Sequence, residues 1–281
     1  MIKGLGTALI TPFKADGSVD YKALARLLDT QLTGFVDYIV VLGTTGEAAT
    51  MTEDEKQEVR TFIWKYGNGR LPLVLGIGGN NTAVVCETLR TMDLTGFEAI
   101  LSVCPYYNKP NQEGLYQHFC AVAQASPIPV ILYNVPGRTG VNLLPETVMR
   151  IYNAHPDKIV GIKEASGNVE QIKHLIDLAK DKLLVISGDD GIACEIMEAG
   201  GAGLISVASN AFPEDFYDIV HKKDRAKQAQ YEQMVRLLFK EGNPVGIKAV
   251  LALKGIIQNY LRLPLVPASK ELEEEIQKEL A

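Results

Sequence analysis

Residues 129–166 read PVILYNVPGRTGVNLLPETVMRIYNAHPDKIVGIKEAS. Two apolar runs lie in this stretch, at 129–135 and 159–162, and the segment 145–152 between them opens on a proline suited to a first helical turn. An apolar strand, a helix and a second apolar strand form a unit whose strands run parallel and are buried on both faces. Each run closes on polar side chains that packing does not require: Tyr133 with Asn134, and Lys163 with Glu164. A charge at the end of a buried strand is costly unless something uses it. Lys163 is therefore the residue around which the chain is read.

The same alternation continues on both sides. Strands are expected at GLGTALITPF (4–13), DYIVVLG (37–43), LPLVLGIGG (71–79), FEAILSVCPYY (97–107), KLLVISGDD (182–190) and GLISVASN (203–210). Helices fall between them. Asp20 is a cap before a stripe of Leu24, Leu27, Leu28 and Leu32. Thr52 and Glu55 form a capping box. Asn111 precedes Leu115, His118, Phe119 and Val122, and Asn168 precedes Ile172, Leu175, Ile176 and Ala179. Pro213 opens a further helix. Eight strand–helix units imply an α/β chain closed into a (β/α)8 TIM barrel over residues 1–222. An open doubly wound sheet fits less well, because neither Gly4-x-Gly6 nor Gly76-x-Gly78 completes a dinucleotide fingerprint. Residues 223–281 read as a helical extension packed on the barrel or on a neighbouring subunit, with helices after Asn243-Pro244 and after a capping Ser269.

Composition agrees. The 281 residues suit a barrel of about 250 with additions. Hydrophobic residues make up 47% of the chain, enough for a large core, yet no apolar run approaches the roughly 18 residues of a membrane span. The N-terminus reads as a first strand without a leader cleavage site. A net charge of −6 with scattered lysines and arginines argues against nucleic acid. Cys86, Cys104, Cys120 and Cys194 form no C-x-x-C pair, which points to a reducing cytoplasm. The dispersed histidines give no zinc motif, and no metal is expected.

Active sites of such barrels lie at the C-terminal ends of the strands. The residues there are Thr7 and Thr11; Thr44, Thr45 and Glu47; Asn80; Tyr106 and Tyr107; Tyr133, Asn134 and Arg138; Lys163 and Glu164; Ser187, Asp189 and Asp190; Ser206, Ser209 and Asn210. A strand-end lysine commonly reaches solvent or pairs with a carboxylate such as Glu164 or Asp189. A desolvated lysine is held neutral more readily and attacks carbonyls. Tyr133 is either a core-edge aromatic or, on the neighbouring strand, a proton shuttle, with Thr44 as a relay. The glycines of GTTGE serve a tight turn, and its hydroxyls and free N–H groups suit a carboxylate. Arg138, between proline and glycine turns, can grip a second carboxylate bidentately. The aspartates after strand seven would repel phosphate and read as helix caps.

GTTGE (43–47), YNVPGRTG (133–140) and IVGIKEAS (159–166) together resemble the lysine-dependent class I aldolase group of dihydrodipicolinate synthases and N-acetylneuraminate lyases. The likeness runs from residue 2 past residue 250. Arg138 places it nearer the synthases, since the lyases lack that arginine. The resemblance implies that pyruvate forms a Schiff base with Lys163 and that no cofactor is needed. The enamine then adds to L-aspartate-4-semialdehyde, giving 4-hydroxy-tetrahydrodipicolinate on the route to diaminopimelate and lysine. It also implies that Tyr133 moves protons through Thr44 and through a Tyr107 lent by a neighbouring subunit. Thr45 and the Ile205 main chain would contact pyruvate, and Arg138 would bind the semialdehyde carboxylate. The implied assembly is a homotetramer, a dimer of dimers. Another pyruvate aldolase, such as a sialic-acid or 2-keto-3-deoxy sugar acid lyase, is the alternative; a keto-acid-binding barrel without catalysis fits the residues poorly.

Many members of the family are inhibited by lysine in a subunit-interface cleft, which Ala49, Asn80 and Tyr106 match. Val84 stands where an acidic side chain would hold the effector's amine, Lys56 where histidine is frequent and Ala48 where serine is frequent. Weak or absent lysine inhibition is expected.

Overall fold

The computed structural model describes residues 2–33 and 35–281. The apolar runs become strands β1 (Gly4–Ala8), β2 (Tyr38–Val41), β3 (Leu73–Gly76) and β4 (Ala99–Val103). They continue as β5 (Val130–Asn134), β6 (Ile159–Glu164), β7 (Leu184–Ser187) and β8 (Gly203–Ser206). The eight follow one another in chain order round a closed barrel. The β1–β2 pairing and the successive pairings from β3 to β8 are parallel.

Helices intervene: α1 (Tyr21–Leu32), α2 (Glu53–Gly67), α3 (Thr82–Thr91), α4 (Gln112–Ala125) and the single turn α5 (Pro136–Thr139). Then come α6 (Pro145–Ala154), α7 (Val169–Ala179), α8 (Ala193–Glu198) and α9 (Pro213–His221). The chain ends with α10 (Arg225–Gln230), α11 (Glu232–Lys240), α12 (Val245–Leu253) and α13 (Lys270–Leu280). The expected caps are in place. Asp20, Asn111, Asn168 and Ser269 each accept a hydrogen bond from a first-turn N–H, and the Thr52–Glu55 capping box is complete. Each satisfies donors that a helix start leaves open.

Two compact units make up the described chain. One spans Leu73–Ile205 and carries the strand succession from β3, with Ile100, Ile131, Leu132, Ile162 and Ile186 fully buried. The other joins Ile2–Pro72 to Ser206–Ala281, so the C-terminal helices group with β1, β2, α1 and α2.

The stripe of α1 departs from its expected end in that second unit. Gln31 is fully buried, whereas Leu32 is only half-buried. Gln31 Nε2 donates to the carbonyls of Ser209 and Asn210 at 3.2 and 3.3 Å, and its Oε1 accepts from the Thr7 hydroxyl at 2.7 Å. Asn210 Nδ2 in turn donates to Ala8 O at 2.8 Å, and its Oδ1 accepts from Ile10 N–H at 3.1 Å. Irregular backbone enclosed in a core needs side-chain partners. Three strand-end candidates, Thr7, Ser209 and Asn210, are thus occupied in satisfying it.

Candidate active site

Tyr133 and Lys163 are the penultimate residues of β5 and β6 and face each other in the parallel register. Both side chains are buried, at 7% and 6% exposure, and Lys163 Nζ lies 4.6 Å from the centre of the Tyr133 ring. Sequence position alone leaves the lysine two escapes, solvent or a carboxylate. Burial removes the first. Glu164 does not take the second: it is fully buried, and its carboxylate accepts from Asn134 Nδ2 at 2.9 Å, Gln171 Nε2 at 3.3 Å and Ser166 N–H at 2.7 Å. Alternate residues of a strand point to opposite faces, so the adjacent Lys163 and Glu164 project apart.

The stem of Lys163 passes close to Gly188, just beyond β7. A Cβ on Gly188 would stand 2.9 Å from Lys163 Cε and 2.6 Å from Ala165 Cβ, so only glycine fits there. The Glu164 network continues through Asn134 Nδ2 to Asn142 Oδ1 at 2.8 Å, while Asn142 Nδ2 donates to Gln171 at 2.8 Å. Leu143 N–H donates to Asn134 Oδ1 at 2.9 Å. The strand ends bearing Tyr133 and Lys163 are therefore tied to residues 142–143, which close the loop that carries Arg138. A residual cost shows at Cys104, whose thiol pKa is raised by burial and by the nearby Glu164 carboxylate.

Arg138 sits exposed on α5, which Pro136 opens and Gly140 ends at a φ of 75°. The Thr139 hydroxyl, 3.0 Å from Val141 O and 3.2 Å from Val135 O, staples this turn. Ile205 is buried in β8. Tyr107 is not gathered with Lys163 and Tyr133: it is 89% exposed at a φ of 73°. The loop beside it is nonetheless ordered by Asn80 Nδ2 donating to Tyr106 O at 3.1 Å and Asn108 Nδ2 donating to Asn80 O at 3.2 Å.

The GTTGE segment forms its own tight structure. Thr44–Gly46 is a single 3-10 turn, with Thr44 exposed and Thr45 buried, and Glu47 follows in the left-handed region at a φ of 54°. Thr11 Oγ1 donates to Gly46 O at 2.7 Å and Asn243 Nδ2 donates to Thr45 Oγ1 at 2.9 Å. Ala49 on the next turn is exposed, as is Val84 on α3, and Lys56 pairs with Glu53 at 2.8 Å. Asp189 caps the turn after β7 by accepting from Gly191 N–H at 2.8 Å, as its position suggests.

Sequence reading missed Gly188, Asn142, Gln171, Asn243 and Lys248. The signals were slight: a glycine after a strand, three amides in helical or loop context, and one lysine inside an otherwise apolar α12. Among the described residues no group of histidine, cysteine, aspartate and glutamate side chains is arranged to hold a metal.

A barrel with an enclosed lysine and tyrosine on adjoining strand ends has the constellation of a Schiff-base-forming aldolase. Residues 1–281 match the model of the Dihydrodipicolinate synthetase family, and the chain belongs to that family. It is 51% identical to the 4-hydroxy-tetrahydrodipicolinate synthase of Flavobacterium psychrophilum, over 96% of this chain and 94% of that one. The dihydrodipicolinate synthase of Thermotoga maritima superposes with a TM-score of 0.95 at 39% identity, covering 100% and 98% of the two chains. A monomeric dihydrodipicolinate synthase variant superposes with a TM-score of 0.94 at 39% identity, covering 99% and 95%.

Proposed function

We propose that this chain condenses pyruvate with L-aspartate-4-semialdehyde to 4-hydroxy-tetrahydrodipicolinate, a lyase-class step toward diaminopimelate and lysine. The observation that carries the reading is the opposed, buried pair Tyr133 and Lys163 in a family whose relatives bear the synthase name. Lys163 Nζ attacks the pyruvate carbonyl, and water leaves to form the imine. Loss of a methyl proton gives the enamine, whose carbon bonds to the semialdehyde aldehyde. The substrate's own amine then displaces Lys163, closing the ring and freeing the enzyme. Tyr133, whose ring centre lies 4.6 Å from the amine, gives and takes the protons. The chemistry calls for no cofactor, because the iminium itself is the electron sink.

By position in the family motifs, Thr45 and the Ile205 main chain receive pyruvate and Arg138 receives the semialdehyde carboxylate. Thr44 and a neighbour's Tyr107 extend the proton relay. The extreme exposure of Tyr107 supports its service to another subunit and, with it, a homo-oligomer built as a dimer of dimers. No helix among the described residues is long and apolar enough to cross a membrane, which is consistent with a cytoplasmic enzyme.

The test has two parts. Borohydride reduction in the presence of pyruvate should add one reduced pyruvyl group, located at Lys163 by peptide mass. Aspartate semialdehyde should then be consumed as acceptor and N-acetylmannosamine should not. An unmodified Lys163 would sink the mechanism, and preference for the amino sugar would reassign the substrate.

A further inference from the structure

Beneath the GTTGE turn lies a buried ionic cluster that the proposed reaction does not use. Glu47 and Lys248 form an ion pair in which the lysine side chain is 0% and the glutamate side chain 1% exposed. Lys248 Nζ also donates to Tyr260 O at 3.0 Å and lies 4.3 Å from the centre of the Phe13 ring. The Arg262 guanidinium lies against the same ring at 4.4 Å and binds Glu55 through two nitrogens, at 2.5 and 2.8 Å. Arg262 N–H donates to the second Glu47 oxygen at 3.2 Å. Burial pulls the Lys248 amine down to about 8, against the Glu47 charge that supports it.

Such a cluster is a poor way to gain stability. Removing two charges from water costs about as much as their attraction returns, and apolar replacements of similar size are often neutral or better. Its place in the chain suggests another role. Glu47 directly follows the Thr44–Gly46 turn and is held in the left-handed region, which a non-glycine residue adopts only when its surroundings impose it. Asn243, on the same C-terminal segment as Lys248, donates to the Thr45 hydroxyl and so leaves that hydroxyl's own hydrogen to donate elsewhere.

We propose that the buried Glu47–Lys248 pair is a positioning device, through which the C-terminal helices hold the Thr44–Thr45 turn in the form that receives the pyruvate carboxylate. Neither residue touches substrate. The pair fixes the backbone from below and Asn243 fixes the Thr45 hydroxyl. The inference rests on the reading of Thr45 as the carboxylate contact.

Two variants test it, Lys248→Met and the charge-balanced Glu47→Gln/Lys248→Met, the second keeping a foldable core should the first leave Glu47 stranded. Borohydride trapping is titrated with pyruvate, beside steady-state KM values and thermal unfolding. The pyruvate concentration for half-maximal trapping should rise about tenfold, as expected for one misaligned hydrogen bond. Trapping at saturating pyruvate should stay complete and the KM for aspartate semialdehyde should stay within about twofold. An unchanged half-saturation point, with only a lower Tm or a smaller trapped fraction, would show a purely structural pair and overturn the proposal. Absence of any adduct in the unaltered chain would overturn the aldolase reading itself and the positioning role with it.

Discussion

Tyr133 and Lys163 are direct register partners on β5 and β6, with the lysine nitrogen 4.6 Å from the centre of the phenol ring. A parallel ladder places paired residues side by side on one face of the sheet, so the backbone itself delivers the amine and the phenol to one another. Tyr133→Phe should keep imine formation but lower kcat by about 10²–10⁴-fold, the usual worth of a positioned acid–base group. Lys163→Ala should abolish the pyruvate adduct. Retention of normal turnover by the phenylalanine variant would remove Tyr133 from the mechanism.

Gly188→Ala should disable the lysine without altering any ionisable group. The added methyl would meet Lys163 Cε at 2.9 Å and Ala165 Cβ at 2.6 Å. Overpacking of this kind costs about 1–3 kcal/mol, and here part of it should displace the proposed nucleophile. Slower adduct formation together with a lower Tm is expected. Wild-type trapping kinetics would show that the strand ends yield at no cost to geometry.

Arg138→Ala should separate the two substrates. In its proposed role, loss of a charge-assisted grip of about 1.5–3 kcal/mol should raise the KM for aspartate semialdehyde by about 10- to 100-fold. The pyruvate concentration for half-maximal trapping should not move, which a titration of borohydride trapping measures directly.

His118 predicts an acid sensitivity unrelated to catalysis. Its ring is 3% exposed, with Nδ1 at 2.9 Å from the Thr82 hydroxyl, and burial lowers its pKa from 6.5 to about 4. The unfolded chain takes up this proton below pH 6.5, whereas the fold resists it until about pH 4. The unfolded state therefore binds more protons across that window, and stability falls as pH drops from 6.5 toward 4. The loss attributable to this group is on the order of 2–3 kcal/mol at the low end. Urea midpoints measured against pH should show the slope, and His118→Phe should flatten it. An equal slope in both proteins would place the titration elsewhere.

Lysine should inhibit weakly or not at all. Val84 is 59% exposed on the first turn of α3 and offers an ammonium group no charge, while the Lys56 amine is already paired with Glu53. Steady-state rates should hold into the millimolar range of lysine, and Val84→Glu should introduce sensitivity. Strong inhibition of the unaltered chain at micromolar lysine would contradict this account of the cleft.

How much was legible differs from residue to residue. The strands showed themselves because both-face burial demands continuous apolar runs such as Val130–Leu132. The helix starts showed themselves because Asp20, Thr52, Asn111, Asn168 and Ser269 act within their own first turn. Lys163 stood out because a cation at a buried strand end contradicts its neighbourhood. Gln31 was overlooked in favour of Leu32, since helical spacing records position and not which carbonyls wait on the facing turn.

Local chemistry in the sequence thus determined the alternating elements, their caps, and the lysine and tyrosine that meet at neighbouring strand ends. Tertiary structure alone decided what holds them. Gly188 clears the path of the lysine stem, Asn134 and Gln171 donate to Glu164 while both also bond to Asn142, and Lys248 reaches Glu47 across 201 residues of chain. Those contacts join residues whose sequence separation carries no trace of their meeting. A hydrogen bond or an ion pair depends on distance in space, and only the closed fold sets that distance.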